Sequence, residues 1–207
     1  AKRATEISLH AGNPIAAEQA ATMWIELEPD SPDARQTIAA LLVNLGKLDA
    51  AKPHLEKLLA SQTDQVGNAF MQLNQLLSRN PDRAATLRLV QHLSQPYKDS
   101  PEVHFAVSQA AWFANQHQLA QDEMQRALAL RPDWEVAAVH NGRILQRISA
   151  ADAGNFYRDY LQKFPASNEV RIAYTRSLIG DNQLDQAREQ VQWLLDNNTN
   201  DPEITLA

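Results

Sequence analysis

The chain of 207 residues contains no cysteine. Disulfides, thiolate metal sites and thiol catalysis are thereby excluded. Its six glycines and scarce β-branched alternation argue against a β-rich fold, because strands show period-two patterning between turn clusters. No apolar run approaches the roughly 18 residues of a spanning helix, so no direct membrane insertion by this segment is expected. Positive charge is in deficit: the formal net charge is −6, which disfavours binding that depends on neutralising phosphates. A glycine-rich phosphate loop and a nucleophile elbow are both lacking. His10, His54, His92, His104, His117 and His140 lack the i, i+4 spacing with an intervening glutamate that makes a zinc protease helix. No catalytic residue, metal site or cofactor is therefore expected, and nucleic acid is not an expected partner.

What is present is helical and periodic. From Ser100 to Pro132 the chain reads as one helical hairpin: Ser100 as a cap, Pro101 at the first helical position, then Phe105, Val107, Ala111 and Trp112 at helical spacing. Polar Asn115 to Gln118 interrupts, and a second apolar face follows with Leu119, Ala120, Met124, Ala127 and Leu128 before Pro132. An alanine equivalent to Ala120 recurs at Ala17, Ala51, Ala85, Ala153 and Ala187, at intervals of 34, 34, 35, 33 and 34. Four residues on stand Ala21, Leu55, Leu89, Met124, Tyr157 and Val191; eight on stand Ile25, Leu59, Leu93, Leu128, Leu161 and Leu195. All twelve are apolar, and in the intervening seventh position only His92 is polar, which predicts a half-buried histidine with a hydrogen-bond partner.

The repeats are expected at about 1–30, 31–64, 65–99, 100–133, 134–166 and 167–200, with Asp201-Pro202 opening another at 201–207. Pro53 falls early in a second helix, and Asn80-Pro81 predicts a cap and first position for the second helix of repeat three. Gly142 marks a close helix approach. The chain begins without methionine and is expected to be one array cut from a longer protein.

These residues resemble the tetratricopeptide repeat family, a helix-turn-helix unit of 34 residues. The small residue in mid first helix is met by Ala39, Ser108, Gly142 and Thr175, and the alanine early in the second helix by all six named above. The terminal proline appears at Pro29, Pro132 and Pro165, whereas Thr63, Tyr97 and Thr199 depart from it; Arg35, His104 and Arg171 replace the early aromatic. The resemblance implies an all-α, right-handed superhelical solenoid of about six hairpins, acting as a scaffold or adaptor for proteins. Residues 127–134 and 169–178 are also similar to repeats of proteobacterial periplasmic lipoproteins that serve as adaptors for carboxyl-terminal processing proteases. That likeness implies a periplasmic or outer-membrane-anchored protein with a periplasmic protease as partner; without it a cytoplasmic place is expected.

First helices of such arrays line a concave groove. Helical spacing nominates Phe70, Asn74, Phe105, Gln109, Trp112, Arg143, Arg147 and Arg176 as its partner-binding residues. Phe105 and Trp112, seven apart, read either as an aromatic floor for a partner or as packing between repeats. Arg143, Arg147 and Arg176 read either as a site for acidic side chains or a terminal carboxylate, or as solvated arginines paired with Glu135 or Glu169. The family's chaperone-binding members hold a terminal carboxylate with groove lysines and asparagines; here Phe70, Phe105, Val139 and Ile172 stand at the expected lysine positions, which disfavours that activity. Two alternatives to an adaptor stay open: a self-assembling structural array forming homo-oligomers, and an RNA-reading helical repeat.

Overall fold

The apolar periodicity is realised as helices throughout the computed structural model, in which residues 1–197 are described. The expected start of a seventh repeat, 201–207, lies outside the described residues. The elements are α1 (Lys2–His10), α2 (Pro14–Leu27), α3 (Pro32–Asn44), α4 (Leu48–Ala60), α5 (Val66–Leu77), α6 (Arg83–Ser94), α7 (Pro101–Phe113), α8 (His117–Leu130), α9 (Glu135–Ile148), α10 (Ala150–Lys163), α11 (Asn168–Gly180) and α12 (Leu184–Asn197). One 3-10 turn, Thr63–Gln65, precedes α5. The described residues contain no strand. Two compact units result, Ala1–Gln116 and a second running on from His117, so the division falls in the turn of the fourth repeat.

Local chemistry sets most boundaries. Asn13 Oδ1 accepts from the Ala16 N–H (3.0 Å) and Ser31 Oγ from the Ala34 N–H (3.3 Å), each followed by a proline that has no amide to leave unsatisfied. Two expected caps differ. Ser100 Oγ donates to Glu102 Oε2 (2.8 Å) instead of capping α7. Helix α6 begins after Asp82, whose carboxylate accepts from the Ala85 N–H (2.8 Å), while buried Asn80 accepts from the Asp82 N–H (2.9 Å) and forms the preceding turn. The turns after α1, α3, α7 and α11 each hold one left-handed residue, Gly12, Gly46, Asn115 and Asn182. Only glycine and asparagine adopt that conformation at little cost, which explains their recurrence.

The alanine register packs as the spacing requires. Ala17, Ala51, Ala120, Ala153 and Ala187 are buried, and Ala85 is half-buried. Their partners four and eight residues on are mostly core, but Val191 and Leu195 on the last described helix are 41% and 42% exposed. His92, expected to be half-buried, is exposed: it lies on the outer side of α6 and its Nε2 pairs with Glu56 Oε1 at 2.7 Å. In the second unit Tyr157, Tyr160, Leu161, Val170, Tyr174 and Leu178 form one cluster with Ala138 and Ala187.

The three residues that replace the family aromatic share one role. Arg35 donates to the Pro29 carbonyl, the His104 ring lies 2.8 Å from the Lys98 carbonyl, and Arg171 Nη2 donates to the Pro165 carbonyl (2.9 Å). Each reaches six residues back and ties its helix to the turn before it. Arg171 is buried, so desolvation lowers its pKa; Gln190 Oε1 (2.7 Å) and the Trp193 ring, 3.6 Å from its guanidinium carbon, offset the burial of its charge.

Candidate interaction faces

Each unit presents a face built by its first helices. In the first unit, α5 packs beside α7. Phe70 and Phe105 do not contribute to this face. They are 0% and 1% exposed, and Phe70 meets Tyr97 edge-on at 5.9 Å between ring centroids. The structure therefore corrects Phe70 and Phe105 as groove residues, and of the two readings of Phe105 it favours packing between repeats, because burial of so large an apolar area outweighs presenting it. Trp112 is half-buried. Asn74 and Gln109 are half-buried and joined, Asn74 Nδ2 donating to Gln109 Oε1 at 2.7 Å.

That amide pair borders a cavity of about 530 Å³ also lined by Met71, Ser78, Arg83, Thr86 and Phe113. Arg83 Nη1 donates to the Ser78 carbonyl (2.6 Å), and its guanidinium carbon sits 5.3 Å from the centroid of the Phe113 ring, which is 51% exposed. The sequence reading missed Arg83, Thr86 and Phe113. Arg83 and Thr86 lie on a second helix, which the groove argument had set aside, and only the i, i+3 spacing that puts both on one side of α6 could have signalled them.

In the second unit, α9 packs against α11. Arg143 and Arg147, one turn apart on α9, and Arg176 on α11 are all exposed. Among the described residues none of the three makes an ion pair or hydrogen bond, so of the two readings the pairing with Glu135 or Glu169 is not formed. Between the helices, Ser177 Oγ donates to Gln146 Oε1 (2.6 Å) and Gln146 Nε2 donates to Asp181 Oδ1 (2.9 Å). This network uses the carboxylate of Asp181 internally. On the same helix as Arg143, His140 is depressed to about pKa 4, first by burial and then by the Arg143 charge, so it carries no charge near neutrality. Burial likewise pushes Tyr157 up to about 12, with Arg143 pulling the other way. Among the described residues no group of three metal-ligating side chains converges, and no helix is long and apolar enough to cross a membrane.

No protein-family model matches the chain. Nor does any curated protein. Solved structures do: the MamA protein superposes with a TM-score of 0.57 at 16% identity, over 85% of this chain and 96% of MamA. A tetratricopeptide repeat protein from Parabacteroides merdae gives 0.55 at 11% identity, over 93% and 76% of the two chains. The chain has the tetratricopeptide-repeat fold. YrrB, described as a TPR protein with an unusual peptide-binding site, gives 0.53 at 16% identity, over 92% of this chain and 97% of its own. The tetratricopeptide fold accounts for the small buried residues Ala39, Ser108, Gly142 and Thr175, where first helices lie close to their neighbours. It assigns no chemistry to the arginines or to the Arg83 cavity, which belong to this chain's own side chains.

Proposed function

We propose that this protein is a non-catalytic scaffold that binds a protein or peptide partner along its first-helix faces. The observation that carries the reading is the set of three exposed, unpaired arginines on α9 and α11. Val136 and Ile148 on α9, and Ile179 one turn beyond Arg176 on α11, are exposed too. Guanidinium groups without an internal carboxylate, on helices that also expose apolar side chains, suit a segment that alternates acidic and apolar residues. YrrB's peptide-binding site supports a peptide as the kind of ligand such a fold takes. The similarity of residues 127–134 and 169–178 to periplasmic lipoprotein adaptors supports, within the same proposal, a processing protease as partner and a periplasmic place for the full protein. Arginines on this face in only two repeats give RNA reading little support.

Replacing Arg143, Arg147 and Arg176 together by glutamine tests this. On an array of synthetic peptides, those with Asp or Glu between apolar residues should bind the wild type and lose about tenfold or more in affinity with the triple variant. Thermal unfolding should be nearly unchanged, since exposed groups without partners contribute little to stability. Equal binding by both proteins would remove the arginine face from the interaction.

One observation favours a second reading, assembly of copies through the face of α12 that carries Val191 and Leu195. Val191 and Leu195 are exposed on α12, although Leu55, Leu89 and Tyr157, and Leu59, Leu93 and Leu161, are buried at the same register. Sedimentation equilibrium separates the readings. The scaffold reading expects one mass across concentration; a mass that rises with concentration, and falls back in Val191→Ser/Leu195→Ser, supports assembly.

A further inference from the structure

Resting on the scaffold reading, we infer that the cavity between α5, α6 and α7 is a peptide subsite selective for an internal acidic residue with an apolar neighbour. Arg83 and Thr86 share one side of α6 and both line the cavity. Arg83 has no carboxylate partner among the described residues, and no acidic side chain lines the cavity. Its one internal bond, to the Ser78 carbonyl, leaves other guanidinium N–H groups unengaged. Thr86 is only 6% exposed, and its hydroxyl has no hydrogen-bond partner, an arrangement that costs stability unless something arrives to satisfy it. Two donors thus stand together without an acceptor.

The amide pair completes the chemistry. One N–H of Asn74 Nδ2 goes to Gln109 Oε1, which leaves Asn74 Oδ1 as an acceptor and the N–H groups of Gln109 Nε2 as donors. A continuing main chain matches these with its N–H and C=O. Met71 and the exposed Phe113 ring supply the apolar wall. An internal Asp or Glu engages every group at once: its side-chain carboxylate takes Arg83 and Thr86, its own N–H and C=O take the amide pair, and the adjoining apolar side chain lies on Phe113. A terminal carboxylate merges two of these roles in one group and leaves a donor unmatched, so the site favours the side-chain source.

The test is titration calorimetry of the whole chain carrying glutamine at Arg143, Arg147 and Arg176, so that the arginine face contributes nothing, with four peptides: acetyl-Ala-Leu-Glu-Leu-Ala-Gly amide, its Gln and Lys analogues, and acetyl-Ala-Leu-Gln-Leu with a free carboxylate. The Glu peptide should bind about tenfold more tightly than its Gln analogue. Arg83→Gln should abolish that preference, Thr86→Val should weaken the Glu peptide by about threefold, and Phe113→Ala should weaken Glu and Gln peptides alike. Arg83→Glu should transfer the preference to a Lys peptide, a gain that loss of folding cannot mimic. Because the arginine face is already removed in this background, failure of that face and failure of this subsite are read separately. No binding of the Glu peptide at about 1 mM, equal binding of Glu and Gln peptides, a preference that survives Arg83→Gln, or binding of the free-carboxylate peptide alone overturns the inference.

Discussion

Phe105→Ala is expected to destabilise the protein by about 3–5 kcal/mol, the range for removing a buried phenyl ring and leaving a cavity. The ring is 1% exposed and lies on α7, which packs against α5 and α6. Urea unfolding followed by circular dichroism measures the loss. The experiment also separates the two roles the sequence allowed for this position. A core phenylalanine loses stability on truncation, whereas a groove anchor loses affinity and leaves the midpoint where it was. Phe113→Ala is the internal contrast: its ring is half in solvent, so the midpoint should move far less. A Phe105→Ala midpoint equal to the wild type's would return Phe105 to the binding surface.

The fold was legible because one period was written over the whole chain. Twelve apolar positions at 34-residue spacing forced helical hairpins, and the glycines and asparagines of the turns recur in the same register. Boundaries were less legible where two residues competed for one task. At Asn80-Pro81-Asp82 both Asn80 and Asp82 are good caps; the structure gives Asp82 the helix and Asn80 the turn, a choice made by how the chain must leave α5. The exposure of Arg143 and Arg176 was legible, since both are charged at positions where the other repeats carry Ala40, Asn74 and Gln109. Phe70 and Phe105 were misplaced because helical spacing names a face of the helix without saying whether a neighbour covers it. Here a neighbouring helix does. The cavity at Arg83 was illegible for a related reason: three helices supply it, and no spacing within one helix reports a junction of three. The tie from Arg35, His104 and Arg171 to the turn carbonyls was visible in the sequence only as a departure from a pattern. The shared period of those departures was the signal that they do one job.

Gly142→Ala is expected to destabilise the second unit by about 1–3 kcal/mol, against a gain of about 1 kcal/mol that the same change brings to an ordinary helix interior. The sign rests on one contact. A Cβ placed on Gly142 would stand 2.0 Å from Tyr157 Cζ and 2.1 Å from its hydroxyl oxygen. Tyr157 has little freedom to retreat. It is 2% exposed, packs against Tyr174 and Phe156 at 5.6 and 5.8 Å between centroids, and belongs to the cluster that holds α10 against α11. Either the phenol leaves that cluster or α9 moves away from α10, and both lose buried contact. The mechanism predicts its own rescue. Tyr157→Leu alone should cost stability by removing ring contacts, but in that background Gly142→Ala should become neutral or stabilising, because the clash is gone and the helix preference remains. A double-mutant cycle read by thermal unfolding gives the coupling directly. A Gly142→Ala protein as stable as the wild type, or additive behaviour with Tyr157→Leu, would mean that the glycine is not there to admit the ring. The rescue also bears on function, because Arg143 follows Gly142 on α9 and its charge acts on Tyr157. The glycine therefore sets how closely the arginine-bearing helix is held to the aromatic core. A variant that restores stability through Tyr157→Leu should also change affinity for acidic peptides if that distance positions Arg143, whereas a purely internal role for the glycine leaves affinity untouched once folding is restored.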